Sequence, residues 1–250
     1  MLLNIKGISK TFHPGKENEV KALQPTSLEI QKGEFVIIVG ANGSGKSSFF
    51  NLLQGRLSLS SGSIQLNGRD ISHMPLHQRC RYISTVFQDP AKGTAGDLTV
   101  LENFRLAAVR KKSKQLLIGN NGRFREEVSR RIAALEMGLE NKLDQAMNSL
   151  SGGQRQALSL LMSTMDDSSL LLMDEPTAAL DPKSAKLILT MADKLNREKG
   201  LTILMITHSI KDALQYGDRL LQFHEGRISK DLPSNQKKAL SLNDIYSWFE

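Results

Sequence analysis

A lysine that follows three glycines within six positions and precedes two serines is a phosphate-binding pattern, and residues 34–53, EFVIIVGANGSGKSSFFNLL, contain one. Gly40, Gly43 and Gly45 let backbone N–H groups converge on a polyphosphate where a Cβ would intrude, with Asn42 and Ser44 completing the loop. A helix opening near Gly45 adds its N-terminal partial positive charge. In that geometry Lys46 reaches the β- and γ-phosphates of a nucleotide, the Ser47 hydroxyl coordinates Mg²⁺, and Ser48 follows in the first turn.

Four further stretches carry chemistry of the same kind. Gln88 stands before Asp89-Pro90, and the proline biases Asp89 away from helix, so this amide sits where a strand enters a loop. An uncharged amide there can ligate Mg²⁺ and orient a water. At 150–154 stands LSGGQ: Ser151 can cap the helix that follows, Gly152 and Gly153 leave N–H groups open, and Gln154 closes the motif. This is a second anion-binding helix start. LLLMDEP, Leu170–Pro176, is an apolar run ending in two carboxylates. Asp174 is placed to hold Mg²⁺ through its water shell, and Glu175 to polarise a water for in-line attack on a γ-phosphate. Leu201–Ile206 ends at Thr207, His208 and Ser209, where the imidazole can reach the same phosphate.

The elements that must position these groups are legible in outline. Residues 2–10 and 23–30 read as strands before the nucleotide strand Phe35–Val39, which suggests a small antiparallel sheet beside a parallel core. Phe12, an aromatic ahead of the loop, could stack on adenine or be a plain hydrophobic contact. SSGSIQLNGRDI reads as a hairpin with Gly62 and Gly68 at turns, Pro75–Arg81 as a short helix, and Tyr82–Pro90 as a buried strand. Helix patterns then cover Thr99–Arg110, with Thr99 and Glu102 as a capping box, and Arg123–Glu136, with Phe124, Val128, Ile132 and Leu135 on one face. Lys111–Gly122 reads as a polar loop, Arg155–Met165 as a helix, and Pro182 to about Arg197 as another. Asp218–Phe223 and Arg227–Lys230 close the sheet around Glu225-Gly226, and Leu242–Phe249 is a short terminal helix. These assignments divide the chain into an α/β core with its β-subdomain, 1–88 and 167–250, and an inserted helical subdomain, 89–166.

Composition narrows the class. The 250 residues hold one cysteine, Cys80, which leaves no pair for a disulfide framework and suits a reducing compartment. No stretch approaches the roughly 20 apolar residues of a membrane span, and residues 1–30 lack a basic-then-apolar leader. The net charge is +7, but the basic residues are dispersed apart from Arg110–Lys112 and Lys237–Lys238. No aromatic interleaving accompanies them, so they read as solvated surface and not as a nucleic-acid footprint. His13, His73, His77 and His224 have no metal-site spacing.

The order Gly40–Ser47, Gln88, Leu150–Gln154, Leu170–Glu175, Ala179–Asp181 and His208 resembles the ABC-type ATPases over essentially the whole chain. In that family's terms these are the Walker A motif, Q-loop, signature, Walker B motif, D-loop and H-loop. Phe12 departs mildly from the family's usual tyrosine but is still implied to stack on adenine. The resemblance implies ATP and Mg²⁺ as ligands and a head-to-tail homodimer with two ATP molecules at its interface. Each ATP then lies between Lys46, Ser47, Gln88, Glu175 and His208 of one subunit and Ser151–Gln154 of the other. It further implies the separate ATPase subunit of a bacterial transporter, peripheral at the cytoplasmic face of the membrane, bound to permease subunits. LTVLENFRLA, LSGGQRQALSLLM and EPTAALDP look most like importers served by a solute-binding lipoprotein, with aromatic amino acids a suggested cargo. An ATPase of an export or lipid-extracting system, or a soluble non-transport ABC ATPase, is the alternative expectation.

Overall fold

The computed structural model describes residues 1–109, 122–165 and 168–248. The basic cluster Arg110–Lys112, all but the last residue of the Lys111–Gly122 loop, the 166/167 boundary and Phe249 lie outside the described residues.

Strands β1 (Leu3–Phe12), β2 (Val20–Ile30), β4 (Ser61–Leu66) and β5 (Arg69–Asp70) form an antiparallel sheet in the order β2-β1-β4-β5. Strands β3 (Phe35–Gly40), β6 (Ile83–Val86), β7 (Leu170–Asp174), β8 (Thr202–Ile206), β9 (Arg219–His224) and β10 (Arg227–Leu232) form the second sheet, ordered β10-β9-β3-β8-β7-β6. The run from β9 to β6 is parallel, and β10 is an antiparallel edge. Two β-branched or apolar faces explain why β3, β7 and β8 read as continuous apolar runs: both sides are covered. Val36, Ile38, Leu170, Leu172, Leu204 and Ile206 face the antiparallel sheet, together with Phe49, Phe50, Leu52 and Leu53 of helix α1 (Lys46–Gln54). The alternate residues Phe35, Ile37, Val39, Leu171, Met173, Ile203 and Met205 face the helices. Those helices are α3 (Val100–Ala108), α4 (Gly122–Ala133), α5 (Gly152–Met162) and α6 (Pro182–Lys199), with α2 (Leu76–Arg79) beside α1. Short helices α7 (Ile210–Gln215), α8 (Ser234–Lys238) and α9 (Leu242–Tyr246) complete the C-terminal part.

The expected mixed α/β fold, with an antiparallel sheet beside a parallel one, is what the chain adopts. Several local expectations are corrected. Gly62 lies within β4 and not at a turn; it passes Gly7 where the β1–β4 register slips, and a Cβ on it would stand 2.4 Å from the Gly7 carbonyl oxygen. The hairpin turn is Asn67-Gly68, both at positive φ, as a two-residue connection requires. Strand β6 stops at Val86, because residues 87–89 turn away into a 3₁₀ turn, Pro90–Gly93, whose cap is Asp89 accepting from the Ala91 N–H. Helix α4 ends at Ala133 and not Glu136, with Leu135 still buried beyond it. The helix after the LSGGQ serine begins at Gly152 and ends at Met162, and α7 and α8, too short to show periodicity, were not expected. The Thr99–Glu102 capping box is present as read.

Candidate functional site

Parallel register brings three strand ends to one edge. Ile38 of β3 pairs with Ile206 of β8, and Ile206 pairs in turn with Asp174 of β7. The Thr207 N–H donates to the Ile38 carbonyl at 3.1 Å. The glycine loop, Asp174 and His208 therefore leave the sheet side by side at its carboxyl edge, where open α/β sheets bind ligands.

The loop from Gly40 to Gly45 is held by its surroundings. Gly45 has a φ of 99°, and a Cβ there would stand 2.7 Å from the Ala22 carbonyl oxygen of β2, so glycine is required on both counts. The Gly226 N–H donates to the Ser44 carbonyl at 3.0 Å, tying the loop to the β9–β10 turn. Lys46 is 5% exposed and folds back, its Nζ donating to the carbonyls of Gly40 at 2.8 Å and Ala41 at 2.9 Å. Burial lowers its pKa, while Glu175 and Asp174 act in the opposite sense. Burial raises the Asp174 pKa and so does Glu175; Lys46, Lys92 and His208 pull it down. Ser47, Asn42 and Gly43 are exposed at the mouth, and Ser48 is half-buried behind them.

Glu175 breaks the strand line. Its φ of 47° is in the left-handed region, which costs a non-glycine residue about 1–2 kcal/mol. The turn carries its carboxylate to His208, whose Nε2 lies 2.6 Å from Glu175 Oε1. Its own N–H donates to the Ile206 carbonyl at 3.0 Å, which locks the bend. A mostly buried carboxylate pair beside a lysine and a histidine fits a divalent cation chemically, since a cation favours the charged form of Asp174 that burial, and then Glu175, disfavour. Ser47, Asp174 and Gln88 are the groups that could hold it.

Gln88 is exposed, two residues beyond the end of β6. Phe12 ends β1 opposite Val20, half-buried, with Lys10 Nζ 5.3 Å from its ring centroid. Two residues from Val20, Ala22 approaches Gly45, so Phe12 stands on the strand pair that flanks the glycine loop. Ser151 caps α5 by accepting from the Gln154 N–H, while the Gln154 side chain accepts from the Ser151 N–H. The neighbours of this motif include Asp181 and Ser184 at the start of α6, and a Cβ on Gly153 would stand 2.4 Å from the Ser184 hydroxyl oxygen. The fold thus brings Lys46, Asp174, Glu175 and His208 together and sets Ser151–Gln154 among other neighbours.

Two residues at the site were missed from sequence. Tyr246 of α9 joins residues 39–42, Thr207, His208 and Ile210 around a cavity of about 280 Å³. Nothing in the sequence marks that distant tyrosine. Gln156, fully buried on α5, carried one usable signal, a polar residue within the apolar face of a helix.

The family described as ABC transporter matches residues 23–178. A tyrosine transport ATP-binding protein of Clostridioides difficile (strain R20291) is 40% identical over 251 residues, covering 100% of this chain and 99% of the relative. A phosphonates import ATP-binding protein of Lactococcus lactis subsp. lactis (strain IL1403) is 31% identical over 252 residues, 98% of each. Among solved structures, a dimeric ATP-binding cassette in a post-hydrolysis state with ADP and Pi superposes with a TM-score of 0.80, at 27% identity, over 93% of this chain and 99% of that one.

Proposed function

The chain belongs to the ABC transporter family, whose ATP-binding cassettes hydrolyse ATP, and from that premise we propose that it energises import of an amino acid through a separate permease. The observation that carries the catalytic part is the convergence of Lys46, Asp174, Glu175 and His208 at the carboxyl ends of three adjacent parallel strands. In this reading Lys46 exchanges its two carbonyl partners for phosphate oxygens. Residues 40–45 present N–H groups to the polyphosphate and Phe12 stacks on adenine. Glu175 accepts a proton from the attacking water, and His208 holds the carboxylate and the departing phosphate in register. Ser47, Asp174 and Gln88 would hold Mg²⁺, which would supply charge neutralisation at the phosphates.

Ser151–Gln154 is a capped helix start with Ser151 and Gly152 exposed and Gly153 buried against Ser184. It makes best sense serving the nucleotide of a second copy, and the dimeric cassette similar to this chain supports that arrangement. We divide the chain at 88/89 and 166/167 into a core and a helical subdomain that carries this motif toward the partner. Exposed Leu76 and Leu106, which line cavities together with Gly93 of the loop that follows Gln88, offer apolar surface for a permease. Among the described residues no helix is long and apolar enough to cross a membrane, which accords with a peripheral subunit at the cytoplasmic face. The aromatic amino acid cargo is supported by the relative named for tyrosine transport and import by the relative named for phosphonates import, while the extracytoplasmic solute-binding protein rests on the likeness of LTVLENFRLA, LSGGQRQALSLLM and EPTAALDP to importer ATPases.

The test is affinity capture of the Glu175→Gln protein with ATP from native membranes, with partners identified by mass spectrometry. Recovery of a polytopic permease with a solute-binding lipoprotein supports import. A permease without a receptor points to export, and ribosomes or assembly factors without a permease overturn the transporter reading.

A further inference from the structure

Gln156 is fully buried on α5, one turn beyond the Ser151–Gln154 start, and its side chain faces out of the helix toward two loops. Its Nε2 donates to the carbonyl of Phe87 at 2.9 Å and to the carbonyl of Pro176 at 2.9 Å. Phe87 immediately precedes Gln88, and Pro176 immediately follows Glu175. Two carbonyl acceptors fix the orientation of the amide, because the flipped form would set its oxygen against both. Its Oε1, also buried, has no hydrogen-bond partner among the described residues. An amide held this way, with one oxygen unsatisfied, costs free energy that an apolar side chain of the same shape would not.

We infer that Gln156 is a positioning residue for hydrolysis: it joins the helix that begins at Ser151 to the two loops that present Gln88 and Glu175. This rests on the roles proposed above for those two residues. The consequence is mechanical. A tilt of α5 when Ser151–Gln154 engages the second copy's nucleotide pulls on Phe87 and Pro176 together, because one –NH₂ group holds both. The same amide then reports the state of one nucleotide to the groups that attack the other. Helix α5 has its own reasons to be rigid, with Ala157, Leu158, Leu160 and Met162 in the core, so motion at its start is transmitted and not absorbed.

The experiment compares Gln156→Met, which keeps the shape and loses both donors, with Gln156→Glu, which turns the donor into an acceptor. Steady-state ATPase is measured well below each protein's melting temperature, alongside ATP affinity from a fluorescent analogue. A loss of kcat of roughly 10- to 100-fold in Gln156→Met, with ATP affinity within about twofold of the parent, is expected. Gln156→Glu falls further, since its carboxylate repels both carbonyls. The two substitutions Gln156→Met and Glu175→Gln should also be non-additive: in the Glu175→Gln background the methionine lowers residual turnover by less than about twofold. Parental kcat in Gln156→Met, or additive losses in the double variant, overturns the inference and leaves Gln156 a packing residue. Should Glu175→Gln alone keep parental turnover, the catalytic reading of Glu175 fails instead, and the kcat of Gln156→Met still tells whether the amide acts on turnover at all.

Discussion

Glu175 and Asp174 are neighbours in sequence with opposite fates in space. Asp174 ends the β-strand and stays in line with it, mostly buried, so desolvation and Glu175 raise its pKa. Glu175 turns through a left-handed φ to His208. Removing the Glu175 carboxylate as Glu175→Gln keeps shape and hydrogen bonding but not basicity, and turnover should fall by about 10²- to 10⁴-fold with ATP binding retained, checked by ATPase assay and equilibrium dialysis. Asp174 illustrates the stability cost of a site. Its raised pKa means that the folded chain binds the proton more tightly than the unfolded one, so folding loses stability as pH rises through the range between the two values. Asp174→Asn should therefore raise the melting temperature of the nucleotide-free protein at neutral pH, by roughly 2–4 °C if the gain is near 1 kcal/mol, while abolishing Mg²⁺-dependent hydrolysis. Calorimetry with and without Mg-ATP reads both effects.

At the scale of elements, the phosphate loop depends on what anchors the far end of α1. Arg79, 3% exposed, donates from Nε to the Met74 carbonyl, from Nη1 to Leu52 and Leu53, and from Nη2 to Ser72. It thereby closes the C-terminal carbonyls of the helix whose N-terminus follows the glycine loop. Arg79→Met leaves those carbonyls without a donor and should cost about 3 kcal/mol in urea unfolding. Arg79→Lys should recover little of that, because one ammonium cannot span four carbonyls set for a planar fork. The α5 start makes a different prediction. Ser151 is exposed and its capping box is local, so Ser151→Arg should leave nucleotide binding to the monomer intact. It should block ATP-dependent dimerisation of the Glu175→Gln protein, read by gel filtration; persistence of the dimer would show that Ser151–Gln154 does not face the second nucleotide.

For the molecule as a whole, the C-terminal segment is fastened by a buried charge. Lys237 of α8 is 3% exposed and donates from Nζ to the carbonyls of Tyr216 and Gly217. Burial pushes its pKa down to about 8 from 10.5. Between those two values the unfolded chain holds a proton that the folded chain has released, so stability rises with pH across that window and is flat below it. The parent should show this positive slope in denaturant unfolding, and Lys237→Met should lack it. Further along, Ile245 is buried and Tyr246 comes to rest beside His208 and residues 39–42, joining the last helix to the nucleotide edge.

The division between sequence and structure follows from the range of the interactions. Motifs of consecutive residues were legible because their chemistry is local: glycines before Lys46, the capping box at Thr99, Ser151 capping its own helix, and two carboxylates ending an apolar run. Strands β3, β7 and β8 were legible for the same reason, as short β-rich runs bounded by turn residues. The bends were not, because they answer to partners far along the chain. Strand β6 ends early where Phe87 is taken by Gln156, Gly62 is needed by Gly7 across the sheet, and α7 and α8 are too short to print a period. Sequence by itself determined the local motifs, the residue types they carry and their order along the chain. Only the tertiary structure decided that Glu175 turns to His208, that Tyr246 lines the same edge, and that one buried amide joins the two loops. Each of these depends on strand register and packing between residues distant in sequence, and no local pattern encodes them.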